Sequence, residues 1–252
     1  MPLNYSLNYS RRLTGRTRTQ PANRQLGCML AFIAGAVNAG GFLAVQHYTS
    51  HMTGIVSAMA DQLALGMYSL VAVGLSALVS FLLGATLSTM MVRHSRQRNL
   101  HSEYALPLLV EAGLLLCFGL LGSQISGFNG YYVSATVMLL SFIMGLQNAV
   151  ITKLSNAEIR TTHITGVITD IGIEMGKLLC PGTSAKAPDR SRLRLLAMLA
   201  LCFFIGGVSG ALGFKHLGYA ATVPLAVTLM ALSIIPIADD LLDYLRQRGR
   251  RR

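Results

Sequence analysis

The chain has 252 residues, of which 52% are hydrophobic and only 12% charged, with a mean hydropathy of +0.52. A soluble domain carries about twice that charged fraction, so an ordinary water-soluble globular protein is excluded. The net charge of +11 does not point to nucleic acid, because the basic residues sit in two terminal tails and in short joints between long apolar blocks, where they set orientation in a bilayer.

In chain order, residues 1–25 are polar and Arg-bearing and read as a basic cytoplasmic tail without a cleavable signal pattern. Six apolar blocks follow, near residues 26–46, 67–92, 104–125, 131–151, 193–214 and 217–237. Each supplies the roughly 20 apolar residues that a helix needs to cross hydrocarbon. Two shorter apolar segments, 53–66 and 165–179, lie between them. Residues 238–252 form a second basic tail. The expected fold is all-α: a polytopic helical membrane protein with repeat one at 26–125 and repeat two at 131–237. Cys28, Cys117, Cys180 and Cys202 are scattered and form no C-x-x-C, so neither a disulfide framework nor a zinc site is expected.

The repeat is carried by a motif. Thr49-Ser50-His51-Met52-Thr53-Gly54 has a twin in Thr161-Thr162-His163-Ile164-Thr165-Gly166. An Asn-Ala pair precedes each copy, at Asn38-Ala39 and Asn148-Ala149, with Gly35 and Gly145 three residues before each Asn. The pattern G-x-x-N-A, spacer, T-[ST]-H-x-T-G therefore occurs twice.

Lysine and arginine placement orders the blocks. If both short segments enter and leave on one face, 20 of the 21 basic residues share a side and only Lys215 lies opposite. If both cross, the division falls to 15 against 6. Cytoplasmic loops collect Lys and Arg, which favours six full spans, two re-entrant helices and both termini in the cytoplasm. The two halves then insert upside-down to each other in an inverted 3+3 arrangement, a plan common among secondary transporters.

Polar, non-helical backbone is tolerated at membrane depth only where protein or a wet cavity surrounds it. The two motifs supply such backbone. Thr53 and Thr165 are the expected N-cap residues of the short helices, and Gly54 and Gly166 allow close approach of a ligand. Helix starts favour an anion or the negative end of a dipole. His51 and His163 can bind solute or carry a proton. Asn38 and Asn148 can join the same site or hold the dipping backbone. Substrate binding is therefore assigned to Asn38, His51, Thr53, Gly54, Asn148, His163, Thr165 and Gly166. Asp170 and Glu111 are candidates for proton or ion coupling, since intramembrane ionisable groups mark pathways. No carboxylate or Cys recurs beside both histidines, so no metal or other cofactor is expected.

These residues give the chain a resemblance to the YoaK family of bacterial inner-membrane proteins. The resemblance is carried by G-A-V-N-A-G-G-F at 35–42, T-S-H-M-T-G at 49–54, G-L-Q-N-A at 145–149 and T-T-H-I-T-G-V at 161–167, and covers about residues 25–240. It implies a multi-pass protein of the bacterial inner membrane without an established substrate. The sequence reading favours a non-enzymatic transporter of a small polar or anionic solute, its partners being that solute and the lipid bilayer. The alternatives are a membrane-embedded enzyme using a histidine with Asp170 or Glu111 on a lipid-soluble substrate, and a non-transporting scaffold or sensor.

Overall fold

The computed structural model describes residues 14, 19–45, 48–125, 131–154, 162–180 and 189–250. The described residues form helices and no strand: α1 (Gln20–Val45), α2 (Met52–Ala64), α3 (Tyr68–Gln97), α4 (Ala105–Ile125), α5 (Tyr131–Leu154), α6 (Ile164–Leu179), α7 (Arg190–Leu217) and α8 (Thr222–Arg250), with a 3₁₀ turn at Gly218–Ala221 between the last two. Among the described residues, four segments are long and apolar enough to cross a membrane, at Gln20–Leu43, Tyr68–Gln97, Ala135–Lys153 and Arg190–Leu242. The last of these contains both α7 and α8. The apolar part of α4 at Ala105–Leu120 is shorter.

Helix bounds depart from the apolar blocks where hydrogen bonding continues past the hydrocarbon. The last block was expected to start at 217; its helix starts at Thr222, because Gly218 (φ +59°) turns the chain first. At the other end α8 runs on to Arg250 through the segment expected to be a basic tail. Pro236 lies inside this helix and cannot donate to the carbonyl four residues back. That carbonyl, on Leu232, accepts instead from the Thr14 hydroxyl at 2.7 Å.

Three long pairings build the bundle: α1 on α7, α3 on α5, and α4 on α8. α1 and α5 also touch each other, and they are the inner helices, each 67% buried over its apolar window against 17% for α3. The core is filled by Leu26, Leu30 and Ile33 of α1, Leu108 and Leu115 of α4, and Leu140, Ile143 and Met144 of α5. Leu82, Leu83 and Met90 of α3 and Leu201, Phe204 and Leu212 of α7 are exposed, as required of a surface that meets lipid.

The α1/α7 and α3/α5 crossings are made by one device used four times. Phe-x-x-Gly occurs at Phe32–Gly35, Phe81–Gly84, Phe142–Gly145 and Phe203–Gly206. A Cβ on Gly35 would run into the Phe203 carbonyl, and one on Gly206 into the Phe32 carbonyl. The same reciprocal clasp joins Gly84 to Phe142 and Gly145 to Phe81. Small residues let helix backbones approach closely where no side chain fits. Each α1 position plus 110 gives its α5 counterpart, and each α3 position plus 122 its α7 counterpart.

Chain directions follow from residue pairs. Along α1 and α7, Phe32, Ala36 and Gly40 meet Gly206, Gly210 and Phe214 in turn, so the two helices run the same way. α4 and α8 run oppositely: Thr222 donates to the Leu115 carbonyl at 3.0 Å, while Asp240 accepts from the Ser102 N–H at 2.8 Å.

Candidate functional site

α2 and α6 are short, about 20 and 24 Å at 1.5 Å per residue, and lie against α3 and α7 respectively. Both begin at a motif histidine. His51 is the residue before α2, with φ −90° and ψ 68°, and His163 the residue before α6, with φ −84° and ψ 55°. The expectation that Thr53 and Thr165 cap these helices is therefore corrected: both lie inside the first turn. The cause is an asparagine that fixes the chain earlier. The Ser50 hydroxyl donates to Asn38 Oδ1 at 2.8 Å, and the Thr162 hydroxyl donates to Asn148 Oδ1 at 2.6 Å. Each bond holds the residue just before the histidine, and the helix starts two residues sooner than expected. Neither histidine side chain makes a capping bond, which leaves the first-turn N–H groups facing outward from the helix start.

Both helix starts open on one cavity of about 430 Å³. From the first motif it is lined by Asn38, Ser50, His51, Met52 and Thr53, and from the second by Thr162, His163, Ile164, Thr165 and Gly166. Phe81 and Phe203, equivalent members of the Phe-x-x-Gly clasps, complete the wall together with Tyr48, whose ring stacks on Phe42 with centroids 4.5 Å apart. Among the described residues no Asp, Glu, Lys or Arg lines it. The cavity therefore offers two imidazoles, hydroxyls, an amide and two positive helix ends, framed by aromatic rings. Such a lining presents hydrogen-bond donors and acceptors within an aromatic frame.

Of the expected site residues, Asn38, His51, Thr53, His163, Thr165 and Gly166 line this cavity. Gly54 does not; it lies beneath the His51 ring, where a Cβ would strike the imidazole. Asn148 is buried behind the wall, its Nδ2 donating to the Met144 carbonyl at 2.7 Å. Asp170 is half-buried and paired with Arg192 at 3.0 Å. Glu111 is buried in α4, with Oε2 lacking a hydrogen-bond partner, and is not part of the cavity wall. Phe81, Phe203 and Tyr48 were not foreseen. The signal for the two phenylalanines was a Phe-x-x-Gly spacing at equivalent places in four helices; nothing marked Tyr48.

Fold and site together define a helical membrane protein in which two copies of one motif start two short helices at a shared cavity. The chain belongs to the family described as protein of unknown function (DUF1275), which matches residues 26–235. It is similar to the UPF0700 transmembrane protein YoaK of Bacillus subtilis (strain 168), with 29% identity over 177 residues, covering 69% of this chain and 77% of that protein. The motif resemblance to the YoaK family is thus a family relationship. No solved structure matches the chain.

Proposed function

We propose that the protein is a secondary transporter of a small polar or anionic solute, with its site in the cavity between the starts of α2 and α6. The carrying observation is that both motif histidines, 112 residues apart, line the same cavity. In this reading α1, α3, α4, α5, α7 and α8 cross the bacterial inner membrane with both termini in the cytoplasm. α2 and α6 are re-entrant, and 26–125 and 131–237 are inverted repeats. The reciprocal Phe-x-x-Gly clasps support that symmetry, and so do the parallel α1/α7 and antiparallel α4/α8 pairs. The solute accepts hydrogen bonds from first-turn N–H groups and from His51 and His163. The two halves then rock about the glycine crossings to open the site to either side. An enzymatic site would need an acid beside one histidine, and Asp170 is engaged with Arg192 instead.

The test is swelling of proteoliposomes in isotonic potassium chloride, nitrate, acetate and lactate with valinomycin to carry the counter-charge, and in glycerol. Wild-type protein accelerates entry of at least one probe. His51→Ala and His163→Ala each reduce that rate at least about tenfold, the loss expected of one hydrogen bond to a charged group. Wild-type rates in both variants, or no flux of any probe above protein-free liposomes, would overturn the reading.

A further inference from the structure

A second cavity, of about 480 Å³, lies where α1 and α7 begin. It is lined by Arg24, Arg190 and Arg194 at the helix starts, with Gln25 and Ser191, and by Cys28, Met29, Leu195 and Met198 beyond them. The polarity is graded along the helices. Cys28 follows Arg24 by one turn and Met198 follows Arg194 by one turn, so charge gives way to apolar surface over about 6 Å. That is the gradient at the boundary between lipid headgroups and acyl chains.

The three guanidiniums are available. Among the described residues none of them is in an ion pair, whereas the neighbouring Arg192 is engaged by Asp170. Arg24 Nη1 donates to the Ser191 hydroxyl at 3.1 Å, which holds it across the gap between the helices. Among the described residues no carboxylate lines the cleft. The start of α7 contributes no anion site of its own, because Asp189 already accepts from the Ser191 and Arg192 N–H groups. Charge in this cleft is carried by arginine side chains, whose planar fork suits a phosphate.

We propose that this cleft binds one anionic phospholipid, its phosphate held by Arg24, Arg190 and Arg194 and the upper part of an acyl chain lying on Met29, Leu195 and Met198. A phosphate group could also arrive as a free ion; the apolar half of the cleft selects the lipid. This site is separate from the cavity between α2 and α6 and does not depend on a transport activity. Basic residues near a bilayer surface each contribute roughly fivefold to the affinity for acidic lipid, so three give about a hundredfold preference over a zwitterionic lipid.

Cys28 lies in the cleft and reports occupancy. The full chain carrying Cys117→Ser, Cys180→Ser and Cys202→Ser is reconstituted in nanodiscs of phosphatidylcholine, alone or with phosphatidylglycerol of the same acyl chains, and maleimide labelling of Cys28 is timed. Phosphatidylglycerol is expected to slow labelling at least about tenfold, a conservative part of the affinity difference. Arg190→Gln with Arg194→Gln abolishes the slowing, while Arg93→Gln with Arg98→Gln, exposed arginines elsewhere, leaves it intact. Inorganic phosphate added to phosphatidylcholine discs leaves labelling fast. Equal labelling in both lipids overturns the proposal, as does equal loss of protection in both arginine pairs, which would mean general surface attraction. Protection by inorganic phosphate alone overturns the choice of a lipid. Each comparison is a ratio within one variant, so a variant that reacts faster or slower overall still reports.

Discussion

The two copies of the motif have the same backbone and different supports. His51 and His163 adopt nearly the same φ and ψ, and the residue before each is held by an asparagine. Beyond the first turn the copies diverge. α2 buries none of its residues; it is closed onto α3 by a tight turn at Gly66 (φ +73°), where the Met67 N–H returns to the Gln62 carbonyl at 2.8 Å. α6 buries Val167 and Glu174, and is tied to the start of α7 by charge. Asp170 pairs with Arg192, and Glu174 accepts from Lys177 at 2.7 Å and from the Asp189 N–H at 2.9 Å. Counting back 112 residues, Asp170 and Glu174 correspond to Ala58 and Gln62, which cannot make those ion pairs. The element that the two copies share is thus the helix start, and each helix has its own anchor.

The largest effects are expected where the halves agree. Gly35→Ala and Gly145→Ala each push a methyl group into a backbone carbonyl, which no rotamer can relieve, so the helices must separate. Overpacking of this kind costs typically 1–3 kcal/mol, and the two variants should lose about the same amount in thermal unfolding in detergent. Gly113→Ala, in α4 with open space around it, should stay within about 0.5 kcal/mol of wild type. A large loss in only one of the first two variants would break the equivalence of the α1/α7 and α3/α5 crossings.

A smaller effect should separate the two short helices. Glu174→Gln removes the charge that receives Lys177 and the Asp189 N–H. Amides of α6 are then expected to exchange with deuterium roughly tenfold faster, as for loss of one charge-assisted hydrogen bond in a locally opening unit. The amides of α2 should not change. Gln62→Ala, at the corresponding place in α2, should leave both helices as they were. Faster exchange in α2 on loss of Glu174 would mean that the two helices open together and are not separately anchored.

The sequence carries the membrane class and the position of the apolar helices because a bilayer demands long apolar runs, a strong and local signal. It carries the two motif copies because they repeat. It carries the helix bounds less well: α8 starts late after Gly218 and continues to Arg250, since helical hydrogen bonding stops for backbone reasons and not where hydropathy falls. The N-cap expectation failed on a long-range bond. Thr53 and Thr165 have the right chemistry, but Asn38 and Asn148 set the turn from 12 and 14 residues away. Asp170 was a candidate for proton or ion coupling, and its partner Arg192 lies 22 residues on. Phe81 and Phe203 carried no signal of their own beyond a Phe-x-x-Gly spacing at equivalent places in four helices.

The smallest expected effect on stability is also the most direct test of how far the motif copies are alike. Gly54→Ala places a methyl group where the His51 ring now lies, while Gly166→Ala meets nothing within 4 Å. The His51 ring is the free end of a side chain and can rotate away, so the fold should tolerate both changes, with unfolding shifted by no more than about 1 kcal/mol in either direction; alanine in a helix also offsets part of any crowding. The functional consequences should differ. Gly54→Ala moves an imidazole out of its place in the cavity wall and should reduce solute flux nearly as much as His51→Ala. Gly166→Ala leaves His163 where it is and should keep most of the flux, because a methyl group at the edge of a cavity of about 430 Å³ removes little room. Equal loss in the two variants would show that glycine serves the solute directly in both copies, and that the ring position over Gly54 is incidental.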